Sequence, residues 1–178
     1  MNEYKGSMKA AGRRFALIAA RFNENHVGHL VSGARDFLLR HGVPEKDIDL
    51  IWVPGSFEIP FAAGMAARSG KVHAVIGLGV IIRGATAHFD LVAGEAARGL
   101  AHVSRETGVP AIFGVVTAET AEQAEERCGG KMGNKGWDAA QAAVEMADLI
   151  QTFGSEGNGS GPGVSARAGV AGTAGRVE

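Results

Sequence analysis

Residues suited to chemistry stand in short segments that each follow an apolar run. Phe22 and Asn23 follow the first run, and Ser56, Phe57 and Glu58 follow the second. An aromatic ring exposed at the end of a strand can stack on a flat heterocycle, although packing against a neighbouring element is the commoner role. Free backbone N–H groups near Ser56 would suit a polar or anionic ligand, and a plain strand-to-helix turn explains the same residues equally well.

A third segment, GLGVIIRGATAHFD (77–90), carries the strongest chemical signal. Its two glycines do not complete a dinucleotide-binding fingerprint, because Ile82 stands where the third glycine is required. Residues 83–86 combine small side chains, a hydroxyl and backbone amides before a helix start, which is the form of a phosphate cradle. His88 follows, and an imidazole transfers protons readily near neutral pH, although a single loop histidine is more often structural.

Two cations stand further along the chain. Arg127 ends a helical segment and Lys135 follows a glycine-rich break. Such cations commonly interact with the C-terminal end of a helix, and a guanidinium with an ammonium can also bind a phosphate ester. The single Cys128 has no cysteine to pair with and is interpreted as a packing residue. The other histidines form no ligand-spaced set with a carboxylate, so we expect no metal and no cofactor.

The elements that position these residues alternate along the chain. Apolar runs bounded by turn residues predict strands at 15–20, 48–53, 73–81 and 111–116. Helical periodicity predicts helices at 24–41, 57–69, 89–107, 120–128 and 136–152, the fourth opened by a capping box of Thr120 and Gln123. Almost wholly apolar strands are typical of parallel sheets covered on both faces. The order predicts a three-layer α/β/α sandwich with a four-stranded, mainly parallel sheet, whose ligands bind beyond the strands' carboxyl ends.

Composition limits the function classes. The 178 residues carry 18 Lys and Arg against 19 Asp and Glu, so the charge expected of a nucleic-acid binder is absent. The sequence contains no apolar run of membrane-spanning length and no signal peptide, and one cysteine fits a reducing compartment, so we expect a cytoplasmic protein without membrane or nucleic-acid partners. We divide the chain into an N-terminal segment (1–12), one domain (13–153) and a Gly-rich flexible tail (154–178).

Five segments, taken together, closely resemble the 6,7-dimethyl-8-ribityllumazine synthases. They are RFN (21–23), PGSFEIP (54–60), GVIIRGATAHFD (79–90), FGVVTAETAEQAEERCG (113–129) and GNKGWDAAQAAVEM (133–146), in the family's order and spacing. The resemblance implies a flavodoxin-like fold of the lumazine synthase type. It also implies condensation of 5-amino-6-(D-ribitylamino)uracil with 3,4-dihydroxy-2-butanone 4-phosphate, the penultimate step of riboflavin biosynthesis. The other hypotheses are a catalytically silent flavin- or lumazine-binding homologue and a shell-forming one.

The resemblance also implies roles for individual residues. The substrate-binding positions are Phe22, which would stack on the pyrimidine, its neighbour Asn23, the ribityl-binding Ser56, Phe57 and Glu58, and Val80, Ile81 and Ile82, which would hold the uracil through backbone contacts. Ala85 and Thr86 would cradle the phosphate, with Arg127 as its counter-charge. His88 would donate and accept protons. Phe113 and Lys135 match positions that reach the site of a neighbouring subunit.

Assembly is part of what the resemblance implies. Members of this family form pentamers with active sites between subunits, and some assemble twelve pentamers into an icosahedral capsid. The short link at 129–136 resembles that of capsid-forming members, so we expect a capsid, with riboflavin synthase as a candidate partner. The Gly-rich tail has no family counterpart that suggests a role.

Overall fold

The computed structural model describes residues 1–156. Four strands, β1 (Phe15–Ala20), β2 (Ile48–Val53), β3 (Ala74–Ile82) and β4 (Ala111–Ala118), form a sheet in the order β2-β1-β3-β4. All three strand pairings are parallel, as the apolar runs predict. The helices are α1 (Glu24–Arg40), α2 (Ile59–Arg68), α3 (His88–Thr107), α4 (Ala121–Arg127) and α5 (Lys135–Glu156).

The sheet lies between two hydrophobic cores, which confirms the three-layer arrangement. Along β1, Phe15, Leu17 and Ala19 pack into the core shared with α1 and α5. Ala16, Ile18 and Ala20 point to the opposite core, which α2 and α3 complete. Because successive strand residues face opposite sides, a strand buried on both faces requires an uninterrupted apolar run.

The expectation that every strand is covered on both faces is wrong for β2. Leu50 is 44% exposed and Ile51 is 37% exposed. The physical reason is position, because β2 is an edge strand that pairs with β1 alone. Its composition resembles that of the central strands, yet the fold of one chain leaves its apolar residues open.

Two glycines of β3 allow a close approach of the neighbouring layer. A Cβ at Gly77 would lie 2.7 Å from Ile59 Cγ2, and a Cβ at Gly79 would lie 2.4 Å from Ser56 Oγ. Contacts this short would force neighbouring atoms to move. The glycines therefore serve packing between β3 and the segment after β2, in agreement with the rejection of a dinucleotide fingerprint.

Most element limits differ from the sequence prediction by one or two residues, and the end of α5 differs by four. The helix expected from residue 57 begins at Ile59, preceded by a 3₁₀ turn at Ser56–Glu58. Helix α5 continues to Glu156, into the first residues of the predicted tail, and the rest of that tail (157–178) lies outside the described residues. A short hairpin, β5 (Cys128–Gly130) with β6 (Gly133–Asn134), links α4 to α5.

No helix within residues 1–156 is long and apolar enough to cross a membrane.

The N-terminal segment is held against α5 by a partly buried ion pair. Ser7 donates from its backbone N and from its Oγ to Asp148 Oδ2, both at 2.7 Å. Arg13 donates to Asp148 Oδ1 and to Gln151 Oε1, the latter at 2.9 Å. These hydrogen bonds, with the Arg13 charge, hold the pKa of Asp148 well below its ordinary value.

Candidate active site

A cavity of about 600 Å³ opens beyond the carboxyl ends of β1 and β3. Nine of the residues predicted from the sequence line it: Phe22, Ser56, Phe57, Glu58, Val80, Ile81, Ile82, Thr86 and His88. Gly55, Gly84, Phe89 and Val92 complete the lining; the first three lie in segments that the sequence singles out, and Val92 was missed. The helical spacing of 88 and 92 is the signal that could have found Val92, because residues four apart share a helix face.

Two aromatic rings form an apolar boundary of the cavity. Phe22 is 72% exposed and Phe57 is 54% exposed, so neither is satisfied by packing within the chain. Backbone hydrogen bonds hold their loops together, because Arg21 N donates to Val53 O at 2.8 Å and Phe22 N donates to Pro54 O at 3.1 Å. Exposed rings next to a cavity provide flat surfaces on which a heterocycle can stack.

Ser56 is the polar side chain buried most deeply in the cavity wall. It is 5% exposed, and its hydroxyl makes no hydrogen bond to any residue within 1–156. The hydroxyl is therefore available to hydrogen-bond a polar ligand in the cavity. The Glu58 carboxylate, two residues on, adds an acceptor to the same wall.

The end of β3 presents backbone groups to the cavity. The β1–β3 pairing reaches only Leu78, so residues 79–82 have no strand partner on the β1 side. Asn23 reaches across from the loop after β1 and donates from Nδ2 to Val80 O at 2.9 Å. A strand edge without a neighbouring strand offers hydrogen-bonding groups to a ligand. Asn23 therefore braces this edge, and its side chain does not line the cavity.

His88 is the first residue of α3 and faces the cavity. Its backbone N donates to Thr86 Oγ1 at 3.4 Å. The described residues that line the cavity provide two titratable side chains, His88 and Glu58, and no lysine or arginine. The cavity wall therefore contains an imidazole, a carboxylate and a loop of small residues, and its described lining contributes no cationic side chain of the Lys or Arg type.

Besides Asn23, four predicted residues lie outside the lining. Ala85 is exposed on the loop before α3. Phe113 is 44% exposed on β4, five residues before the strand ends at Ala118, or about 17 Å along an extended strand. Arg127 donates from Nη1 to the carbonyl of residue 123 at 2.9 Å, and Lys135 pairs with the carboxylate of residue 138 at 2.7 Å.

Cys128 is buried and behaves as the packing residue that the sequence predicts. It is 3% exposed, and burial raises the pKa of its thiol to about 11. No group of three or more His, Cys, Asp or Glu side chains among residues 1–156 is placed to hold a metal ion.

The fold and the cavity define a three-layer α/β protein with a cavity, lined by aromatic rings and a few polar side chains, at the carboxyl ends of its strands. The sequence profile of the 6,7-dimethyl-8-ribityllumazine synthases matches residues 12–151. A 6,7-dimethyl-8-ribityllumazine synthase of Aquifex aeolicus (strain VF5) is 54% identical over 153 residues, which cover 86% of this chain and 99% of that protein. The chain belongs to the lumazine synthase family.

Proposed function

We propose that this chain condenses 5-amino-6-(D-ribitylamino)uracil with 3,4-dihydroxy-2-butanone 4-phosphate to form 6,7-dimethyl-8-ribityllumazine, phosphate and water. The observation that carries the proposal is that three segments distant in sequence meet in one cavity at the residues expected for this reaction. Membership of the family and the name of the Aquifex aeolicus relative support it. A catalytically silent or purely shell-forming homologue would not need His88 at the cavity.

Each wall of the cavity suits one part of these substrates. Phe22 offers a face for the pyrimidine ring, and the unpartnered Ser56 hydroxyl with Glu58 suits the ribityl hydroxyls. The strand edge at 80–82 suits the polar edge of the uracil, with Asn23 as its brace. The loop with Ala85 and Thr86 would receive the phosphate through amides and a hydroxyl.

The reaction requires proton movement at several steps. An imine forms between the amino group of the pyrimidine and the ketone with loss of water, phosphate leaves, and the second ring closes with loss of a second water. His88 lies beside Thr86 at the proposed phosphate end of the cavity, where it would donate and accept these protons. A positioned general acid–base contributes about 10²- to 10⁴-fold to the rate of a reaction.

The remaining site residues are proposed to come from a neighbouring subunit of a pentamer. The lining of the cavity, as described for one chain, has no cation for the phosphate, while Arg127 and Lys135 lie outside it. Phe113 is too far along β4 to reach the cavity of its own chain. Exposed apolar side chains support a subunit contact, among them Leu50 on β2 and Phe61 and Met65 on α2.

The proposal extends to the assembly of pentamers into a larger particle and to the location of the protein in the cell. The short β5–β6 hairpin between α4 and α5 supports a capsid of twelve pentamers, because larger links are typical of smaller assemblies in this family. Riboflavin synthase remains the proposed candidate partner of such a shell. A cytoplasmic location is proposed from the single, unpaired cysteine and the biosynthetic reaction.

The first test is turnover by the purified chain, followed through lumazine fluorescence, with particle size recorded on the same sample. His88→Ala should lower kcat by about 10²-fold or more, with lumazine binding within about threefold of wild type. His102→Ala is the matched control, because His102 is exposed on the same helix and pairs with Glu106. Lumazine binding without turnover by the wild-type chain would support the silent homologue instead.

Subunit mixing tests the shared site. A His88→Ala chain alone should retain about 1% of wild-type activity or less, and an Arg127→Ala chain alone should also be nearly inactive. Co-refolded at equal amounts, they should regain roughly a quarter of wild-type activity, because random pairing places the intact His88 beside an intact Arg127 at that share of interfaces. Mixtures as inactive as the single variants would place both residues in the same subunit's site.

A further inference from the structure

Arg83 stands where the cavity wall turns into the loop before α3. It directly follows Ile82, which ends β3 and lines the cavity. Its backbone N donates to Ala118 O at 2.9 Å, continuing the β3–β4 pairing by one residue. The four residues after it form the proposed phosphate loop, and His88 comes next.

The Arg83 guanidinium connects two carboxylates on two different elements. Nη1 and Nη2 donate to the two oxygens of Asp90, each at 3.1 Å, and Asp90 lies in the first turn of α3. Nε pairs with Glu119, immediately after β4, at 2.8 Å and 3.0 Å to its two oxygens. The N–H groups of a planar guanidinium point in fixed directions, so Arg83 fixes the relative orientation of Asp90 and Glu119, which a lysine ammonium would not do. These hydrogen bonds lower the pKa of Asp90 below its ordinary value.

The same guanidinium also lies over an aromatic ring of the cavity wall. Arg83 Cζ is 4.1 Å from the centroid of Phe89, within the range of a cation–π contact. Phe89 lines the cavity and directly follows His88. Arg83 therefore contacts both residues that follow His88 in the first turn of α3, and it holds that turn to the ends of β3 and β4.

The contacts of Arg83 are suited to holding the start of α3 in place, rather than to stabilising the fold or binding a ligand directly. The side chains of Asp90 and Glu119 are 60% and 59% exposed, and ion pairs at such exposure contribute little to folding. With two carboxylates and a ring on its guanidinium, Arg83 does not line the cavity as a free cation for phosphate. A displacement of about 1 Å in a site can nevertheless slow a reaction roughly 10²-fold.

We propose that Arg83 is a positioning residue, which fixes His88 and the 84–87 loop against the cavity by joining Asp90, Glu119 and Phe89. The inference rests on the proposed lumazine synthase function. Arg83→Gln should lower kcat roughly 10- to 100-fold, with the KM for the ribitylaminouracil and lumazine binding within about threefold of wild type. Arg83→Lys should recover only part of the loss, because it restores charge without the planar fork.

Asp90→Asn and Glu119→Gln separate this role from direct phosphate binding. A positioning role predicts that each of these two variants has a lower kcat than wild type. It also predicts that either change lowers kcat by a smaller factor in the Arg83→Gln background than in the wild-type chain. A phosphate-binding Arg83 predicts the opposite, because removing a carboxylate would free the cation and lower the KM for the butanone phosphate or the inhibition constant of inorganic phosphate. That result would overturn the inference, as would an Arg83→Gln kcat within twofold of wild type.

Arg35→Gln is the matched control, because Arg35 forms two 2.7 Å hydrogen bonds to Glu45, a carboxylate about as exposed as Asp90 and Glu119, and does not line the cavity. Its kcat should stay within twofold of wild type. Particle size and melting temperature are recorded for every variant, and Arg83→Lys and Asp90→Asn carry the test if Arg83→Gln does not assemble. An inactive wild-type chain would refute the proposed function, whereas an active wild type with an unaffected Arg83→Gln refutes only this inference.

Discussion

The side-chain amide of Asn23 donates a 2.9 Å hydrogen bond to the backbone carbonyl of Val80, 57 residues further along the chain. It joins the loop after β1 to the unpaired edge of β3, the two elements that place Phe22 and residues 80–82 around the cavity. Asn23 also has a positive φ of 60°, a conformation that asparagine tolerates better than most residues. Asn23 therefore has two roles: its backbone adopts the conformation that the loop requires, and its side chain holds that loop to the edge of β3.

Replacing Asn23 should separate these two roles. Asn23→Gly keeps the backbone conformation and loses the hydrogen bond, which is worth about 1 kcal/mol. Asn23→Ala loses both and should destabilise the chain by about 2 kcal/mol, since a positive φ costs a side chain roughly 1 kcal/mol more. Denaturant unfolding measures the loss of stability in both variants. All samples are compared at one protein concentration, because subunit assembly makes the measured stability depend on concentration. Equal stability of the alanine variant and wild type would contradict this account.

Gly79→Ala tests the close contact between β3 and Ser56, which lines the cavity. The added Cβ would meet Ser56 Oγ at 2.4 Å, so the serine or the strand must shift. We expect destabilisation of about 1–3 kcal/mol and weaker lumazine binding, measured by denaturation and by fluorescence titration. Gly28→Ala, on α1 with open space around the added Cβ, is the control and should not weaken binding. Equal binding by both variants would show that Ser56 does not contact the ligand.

Asp148 should make stability depend on acid pH. Its carboxyl has a lowered pKa in the folded state, so the folded chain binds fewer protons than the unfolded chain as the pH falls past about 4, the usual value. The stabilisation is present above that pH and is lost below it. The melting temperature of wild type should exceed that of Asp148→Asn at pH 7, and the difference should shrink from about pH 4 to pH 3. A difference independent of pH would contradict the lowered pKa.

Cys128 should react slowly with thiol reagents while the chain is folded. Its thiol is 3% exposed and its pKa is raised to about 11, so the thiolate fraction at pH 8 is smaller than that of a free cysteine by about 10²-fold. Iodoacetamide labelling, measured by mass, should be slower than in the denatured chain by at least that factor. Labelling at the denatured rate would show that the thiol is accessible in the folded chain.

Local sequence predicted most of the fold because the relevant interactions are local or periodic. The limits of β1 and β2 agree with their apolar runs, and the Thr120–Gln123 spacing gives the expected cap, with Gln123 N donating to Thr120 Oγ1 at 3.3 Å. Several cavity-lining residues were predicted because ligands of a parallel sheet bind beyond its carboxyl ends, which the sequence marks with polar loops after apolar strands. The resemblance to the family added Val80, Ile81 and Ile82.

The sequence by itself determined the element types, the parallel sheet and the segments that carry the chemistry, because periodicity and turn residues act over a few positions. Only the tertiary structure decided which of those residues share a cavity, that Ser56 is buried there without a partner, and that β2 stays exposed at the edge. It also decided the pairing of Arg83 with Glu119, 36 residues away. Such relationships depend on how distant segments pack, since strand order and register bring together groups that no local pattern links.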